Sequence, residues 1–233
     1  MEKGLISCFS KSCFLCNHCI PEWVPFVEKN KKMIHFKKGE SIFQEGEKVE
    51  GIYFLNSGKV KVHKQWNEEK QLIIRFVKEG DVLGHRGFGN SNIYPVSATA
   101  LEPTTVCFFT YDFFLASLKT NHELTFNLLM FYSAELENAE QRMRDLVHMD
   151  TRGKIADALL MLKNHFGCDK DGNIEMKLTR QDLSSFVGAT YETVFKIINE
   201  LVKEKTISVK GKEIKIVNEK KMRSYTLPAE VKK

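Results

Sequence analysis

The run Leu178-Thr-Arg-Gln-Asp-Leu-Ser-Ser-Phe-Val-Gly-Ala-Thr-Tyr-Glu-Thr-Val-Phe-Lys-Ile-Ile-Asn-Glu-Leu201 reads as two short helices joined by a tight turn. Thr179 stands as an N-cap, and Leu183, Phe186 and Val187 give helical apolar spacing. Gly188 is placed to end that helix in the left-handed conformation. Thr190 caps the second helix, whose Val194, Ile197, Ile198 and Leu201 form one buried stripe. The other face then carries Tyr191, Glu192, Phe195 and Lys196 near the helix N-terminus. That is where a helix lying in the major groove of DNA presents its base-reading side chains.

A helical hairpin buried in any core would show the same periodicity, and the next segment separates the two readings. Residues 203–217 run Lys-Glu-Lys-Thr-Ile-Ser-Val-Lys-Gly-Lys-Glu-Ile-Lys-Ile-Val. Alternation, then Lys-Gly-Lys, then alternation again predicts a β-hairpin. Two helices followed by a two-stranded wing make a winged helix-turn-helix.

A chain of 233 residues exceeds the usual size of one domain, so two are expected. The hydrophobic content of 42% suffices for packed cores, and no stretch is long and apolar enough to span a bilayer. The N-terminus lacks a basic region, an apolar core and a small-residue cleavage site, so a cytoplasmic protein without a membrane partner is expected. Charge is uneven. From Thr151 onward there are 17 Lys and Arg against 11 Asp and Glu, a surplus of 6, whereas the whole chain carries +5. A basic C-terminal half beside a near-neutral N-terminal one suits contact with phosphates. Gly-rich phosphate loops and Ser/His/Asp constellations are lacking, and the histidines outside the N-terminal segment are scattered singly. The chain is therefore expected not to be an enzyme.

From Met33 to Tyr111 short apolar runs alternate with glycines. Val60 and Val62 mark one strand, Ile73 to Val77 another, and Val106 to Phe109 a buried one. Many short strands with glycine turns predict a β-barrel or jelly roll. Residues 112–119 predict a short helix, and residues 123–148 a long one with apolar residues at three- and four-residue spacing. Its first half, rich in Phe and Leu, is expected to pack on the barrel. The sparser second half, Leu136 to Val147, suits a dimer seam. The predicted organisation is α+β. A Cys-rich segment spans 1–21, a sensory barrel 22–120, a dimerisation helix 121–149 and the winged helix-turn-helix 150–233.

This order and these residues resemble the Crp/Fnr family of bacterial transcription regulators. The resemblance rests most on Leu178-Thr-Arg-Gln-Asp-Leu, Glu192-Thr-Val and Ile207-Ser-Val-Lys-Gly-Lys, and on the barrel turns Gly39-Glu40, Gly46, Gly58-Lys59-Val60-Lys61 and Gly80-Asp81-Val82-Leu83-Gly84. It implies a cyclic-nucleotide-binding-like barrel, a homodimer, a near-palindromic duplex site and RNA polymerase as a partner. DNA contacts are expected from Thr179, Arg180, Thr190, Tyr191, Glu192, Phe195 and Lys196. Glu192 matches a family Glu that accepts from a cytosine amino group. Lys196 stands where the family usually has Arg, and it lacks the planar fork. Phe195 is unusual there and suits a thymine methyl.

For the effector, the cyclic-nucleotide members use a Gly-Glu pair for ribose and an Arg-Ser pair for phosphate. Here the residues are Gly84-His85 and Val96-Ser97. A buried phosphodiester without its cation is costly, so cyclic AMP is not expected. Cys8, Cys13, Cys16 and Cys19 crowd the N-terminal segment, a spacing that favours metal or redox chemistry in a cytosolic chain. Cys13-x-x-Cys16-x-x-Cys19 resembles a ferredoxin run. Cys19-Ile20-Pro21 and Leu101-Glu102-Pro103-Thr104-Thr105-Val106-Cys107 resemble the oxygen-sensing Fnr branch, which implies a [4Fe-4S] cluster on Cys13, Cys16, Cys19 and Cys107. That branch usually spaces its last two N-terminal ligands further apart, so Cys8 remains an alternative fourth ligand, with Cys107 then a core thiol. His18 lies inside the Cys cluster as a further candidate ligand. Zinc and a metal-free thiol switch are the other readings, and no haem-ligand pattern stands out. Cys168 reads as a free thiol in a polar loop.

Overall fold

The computed structural model describes residues 13–67, 70–89 and 91–227. Cys8 lies outside them. The chain divides into two compact units at Glu135/Leu136, within a single long helix.

The N-terminal unit is built on eight strands: β1 Lys32–Phe36, β2 Ser41–Phe43, β3 Gly51–Ser57, β4 Val60–Gln65, β5 Gln71–Val77, β6 Val82–Leu83, β7 Ser97–Ala100 and β8 Thr104–Thr110. They form two antiparallel sheets, β1-β8-β3-β6 and β2-β7-β4-β5. The expected barrel is thus an open jelly roll, in which each sheet has free edges. Gly58, at φ +96, makes the turn from β3 to β4, and a Cβ there would lie 2.5 Å from the Thr104 hydroxyl. Only glycine fits on both counts.

The first sheet is buried on both faces, and its two-residue period sorts the side chains. Tyr53, Leu55, Val106 and Phe108 join Phe43, Val62 and Tyr94 in one core cluster. Ile52, Phe54, Cys107 and Phe109 point the other way and pack with helical residues Phe114, Leu124 and Leu128 in a second. Those residues come from α3 (Tyr111–Thr120) and α4 (His122–His148). Two N-terminal helices add to that second cluster: α1 (Phe14–His18) contributes the buried Leu15 and α2 (Val24–Asn30) the buried Val27.

The C-terminal unit runs α5 (Thr151–Phe166), α6 (Arg180–Val187), α7 (Tyr191–Lys203), β9 (Ile207–Lys210), β10 (Glu213–Ile216) and α8 (Glu219–Tyr225). The two expected helices are present within two residues of their predicted bounds, and the wing follows, its first strand starting at Ile207 because α7 continues to Lys203. Gly188 ends α6 at φ +66, in the left-handed conformation expected of it. Of the predicted stripe on α7, Val194, Ile198 and Leu201 are buried and Ile197 is half-buried. Sequence periodicity did not reveal α8, a two-turn helix capped by Asn218 and anchored by the buried Met222.

The first half of α4 packs on the sheet as expected, through Leu124, Leu128, Phe131 and Tyr132, but the exposed stripe is longer than expected. Only Leu124 and Leu128 of its first half are buried. Phe126, Leu129 and Met130 are as exposed as Leu136, Met143 and Val147. Leu129, Leu136 and Met143 recur at intervals of seven, with Phe126 and Val147 in the complementary heptad position. The unpartnered apolar stripe therefore runs nearly the whole helix and is not confined to the second half.

Candidate nucleic-acid interface and thiol cluster

Two caps set the helix-turn-helix. The Thr179 hydroxyl accepts from the Asp182 amide at 2.9 Å and donates to the Asp182 carboxylate at 2.6 Å. The Thr190 hydroxyl accepts from the Thr193 amide at 3.2 Å. With Val194, Ile198 and Leu201 turned inward, helical geometry leaves Tyr191, Glu192, Phe195 and Lys196 together on the outer face, and all four are exposed. The Tyr191 and Phe195 rings lie nearly parallel, 12° apart in plane and 6.2 Å between centroids. Arg180, at the start of α6, is half-buried. Burial holds its guanidinium below the ordinary arginine range, and nearby Tyr191 acts in the opposite direction.

The far end of α7 is pinned by charge. Arg152 Nη1 donates to Glu204 at 2.7 Å and its other terminal nitrogen to Glu200. Lys221 and the Tyr225 hydroxyl reach Glu204 at 2.8 and 2.7 Å. Lys221, Tyr225 and Arg152 together hold the Glu204 carboxyl down to about 2. At the other side of the unit, Arg142 donates to the Phe186 carbonyl at 2.7 Å and lies 4.1 Å above the Phe186 ring. Thus the last turns of α4 are clamped to α6. Neither the Glu204 cluster nor the Arg142 clamp was found by sequence reasoning, because both join residues tens of positions apart.

In the N-terminal unit, Cys13 and Cys107 are buried in the second core cluster, and Cys16 and Cys19 pack against it half-buried. Three sequence features bring this about. Cys13 and Cys19 cap the two ends of the short α1, and Cys16 lies within it. The two-residue period of β8 turns Cys107 outward from the jelly-roll interior, beside Met33 on β1, with 3.4 Å between the two sulfurs. The segment is then tied down by backbone and side chain: Phe14 N–H donates to the Gly80 carbonyl at 3.0 Å, Ile20 N–H to Asn121 Oδ1 at 3.0 Å, and Trp23 Nε1 to Ser117 Oγ at 2.9 Å. Burial, with Cys13 close by, pushes the Cys19 thiol up to about 11. It is therefore a neutral thiol near neutrality and a poor nucleophile. Among the described residues, no three His, Cys, Asp or Glu side chains converge tightly enough to hold a single ion. Cys168 is exposed, as expected of a loop thiol.

Beside Gly84-His85 and Val96-Ser97, the residues that the resemblance sets against nucleotide-binding pairs, aromatic side chains pack on one another. Phe43 stacks on Tyr94 at 4.2 Å and lies 5.6 Å from Tyr53. Tyr94 donates to the Gly51 carbonyl at 2.8 Å. The cavity left beside Gly84, His85 and Val96 is about 10 Å³, room for about one water. His85 is buried, and burial with Arg75 nearby holds its imidazole down to about 3, so it is neutral. The two arginines of this region, Arg75 and Arg86, reach Glu135 of α4 at 3.0 and 2.9 Å. Burial works against the Glu135 charge, but the two guanidiniums outweigh it and hold the carboxyl below its usual range.

Residues 33–121 match the cyclic nucleotide-binding domain family, and residues 153–225 match the Crp-like helix-turn-helix domain family. The chain belongs to the Crp/Fnr family. It is a DNA-binding transcription regulator of the Crp/Fnr type. It is 24% identical over 204 residues to a CRP-like cAMP-activated global transcriptional regulator from Mycobacterium tuberculosis, covering 87% of this chain and 91% of that one. It is 28% identical over 191 residues to the anaerobic regulatory protein of Bacillus subtilis, covering 81% and 79%. The solved structure of FixK2 from Bradyrhizobium japonicum shares the fold with a TM-score of 0.76 at 22% identity, covering 85% of this chain and 98% of that one. The Mycobacterium tuberculosis relative is named as a regulator of transcription and the Bacillus subtilis one as a regulatory protein. Among the described residues, no helix is long and apolar enough to cross a membrane.

Proposed function

We propose that this regulator is a homodimer whose grip on a near-palindromic duplex is controlled by a [4Fe-4S] cluster on Cys13, Cys16, Cys19 and Cys107. The observation that carries the sensing part is the gathering of all four thiols in one apolar cluster. Four soft donors, one of them 88 positions or more from the rest, suit a polynuclear iron–sulfur group. Tetrahedral zinc would instead draw four thiolates to one ion, and metal analysis of the purified protein separates the two. Bound there, the cluster would supply sensitivity to oxygen, nitric oxide and redox state. The protein's part is to hold the thiols and exclude water. It also couples α1 to α4: the Phe14 ring lies 5.7 Å from that of Phe131, and Arg75 sits 5.7 Å above Phe131.

The dimer reading is supported by the exposed heptad stripe on α4. Two copies related by a two-fold axis would set their α7 helices about one helical turn, roughly 34 Å, apart on the duplex. Thr179, Arg180 and Thr190 then flank the groove, and Tyr191, Glu192, Phe195 and Lys196 enter it. RNA polymerase is the partner that such a promoter-bound dimer would meet. Cyclic AMP is a poor effector on this reading, because Phe43 and Tyr94 pack together beside Gly84 and because Arg75 and Arg86 are already engaged by Glu135, with Asp81 3.7 Å from Arg75.

Protein purified without oxygen should contain iron and acid-labile sulfide in equal amounts and absorb in the visible. Its affinity for a cognate duplex should change on exposure to air. Cys107→Ser should lose the iron; an intact cluster in that variant moves the fourth ligand to Cys8. An iron-free protein that still binds DNA under redox control replaces the cluster with a thiol switch.

A further inference from the structure

The outer face of α7 is chemically divided. Glu192 and Lys196 form one row at four-residue spacing, and Tyr191 and Phe195 form the row beside it. Scattered apolar side chains on a surface need no explanation. These two are not scattered. Their rings are 44% and 49% exposed and nearly coplanar in orientation, at a centroid distance within the offset-stacking range. The helix already has its buried stripe on the opposite side, in Val194, Ile198 and Leu201, so the plate is not needed to fix α7 to its own domain. Aromatic rings lose little rotamer freedom when they are pressed against a partner.

The major groove offers one apolar feature, the C5-methyl group of thymine, and a Phe ring is among the groups that pack on it. We propose that the Tyr191–Phe195 plate reads thymine methyl groups, so that each half-site carries thymine next to the C·G pair that Glu192 addresses. The inference rests on the reading of α7 as the groove-entering helix. It goes beyond that reading by naming the chemical group that sets the sequence preference. Sequence discrimination is then shared between two rows: the polar row chooses C·G by hydrogen bonds, and the aromatic row chooses T·A over U·A by a methyl alone.

The full-length chain should first enrich a duplex from a random-sequence pool, under air and without oxygen. That duplex is then remade with deoxyuridine in place of each thymidine in turn, which removes the methyl and leaves every hydrogen bond in place. At the contacted positions affinity should fall about fourfold per methyl. Phe195→Ala should narrow the gap between thymine and uracil duplexes and Tyr191→Ala with Phe195→Ala should close it, while discrimination against substitutions of the C·G pair remains. Phe195→Leu, which keeps an apolar side chain, should retain part of the difference. Equal affinity of the parent chain for thymine and uracil duplexes at every position overturns this inference and leaves the groove-reading role of α7 standing. Failure to enrich any duplex overturns both.

Discussion

At Lys196, one substitution tests how the polar row reads bases. Lysine offers a point charge to guanine, whereas arginine offers a planar pair of donors. Lys196→Arg should tighten binding to guanine-bearing half-sites and sharpen the penalty for replacing that guanine, as measured on a panel of base-substituted duplexes. Unchanged selectivity would place Lys196 on phosphate. Glu192→Ala should relax the preference at one cytosine by about 1–3 kcal/mol and leave the salt dependence of binding as it was. A uniform loss over all duplexes would argue against base readout. That Tyr191, Glu192, Phe195 and Lys196 share the exposed face of α7 was legible in the sequence, because a helix with three buried positions of known phase leaves its outer face determined. The Cys13, Cys16, Cys19 and Cys107 set came from resemblance. The structure adds the strand parity that turns Cys107 out of the jelly-roll interior and into the apolar cluster that α1 joins.

Among elements, α6 and α7 matter only if they are held, and two long-range clamps do this, one on each. Glu204 joins Arg152 of α5 to Lys221 and Tyr225 of α8. Its folded pKa, about 2, lies below the ordinary carboxylate value. Its contribution is therefore present above about pH 4.3 and is lost as pH falls through about 2. Glu204→Gln should cost up to about 1 kcal/mol at neutral pH, since the cluster is partly open to solvent. Parent and variant should converge in urea midpoint as the pH is lowered through that window; a constant gap would mean the charge is not the cause. Arg142 is the second clamp. Arg142→Ala leaves the Phe186 carbonyl and ring without their cation. It should lower DNA affinity without changing the slope of log affinity against log salt, because no phosphate contact is removed. A slope reduced by about 1 would instead make Arg142 a phosphate ligand.

For the whole molecule, assembly is the governing question. The exposed heptad positions Leu129, Leu136 and Met143 are predicted to be covered by a second copy. Leu136→Asp places like charges opposite each other in that seam. Because Leu136 is exposed within its own chain, the variant should remain folded. Sedimentation should find it monomeric, with DNA binding reduced to that of a single half-site; a persistent dimer would move the interface elsewhere. By itself the sequence determined the helix-turn-helix, the wing, the jelly-roll strands and the long helix. Each is written in local periodicity, caps and glycine positions, which act over a few residues. Tertiary structure alone decided that the roll stays open in two sheets, that Tyr94 stacks on Phe43 inside it, that Arg75 and Arg86 meet Glu135, and that four distant thiols share one apolar cluster. Those outcomes depend on which faces meet across long separations in the chain, and local spacing carries no record of that.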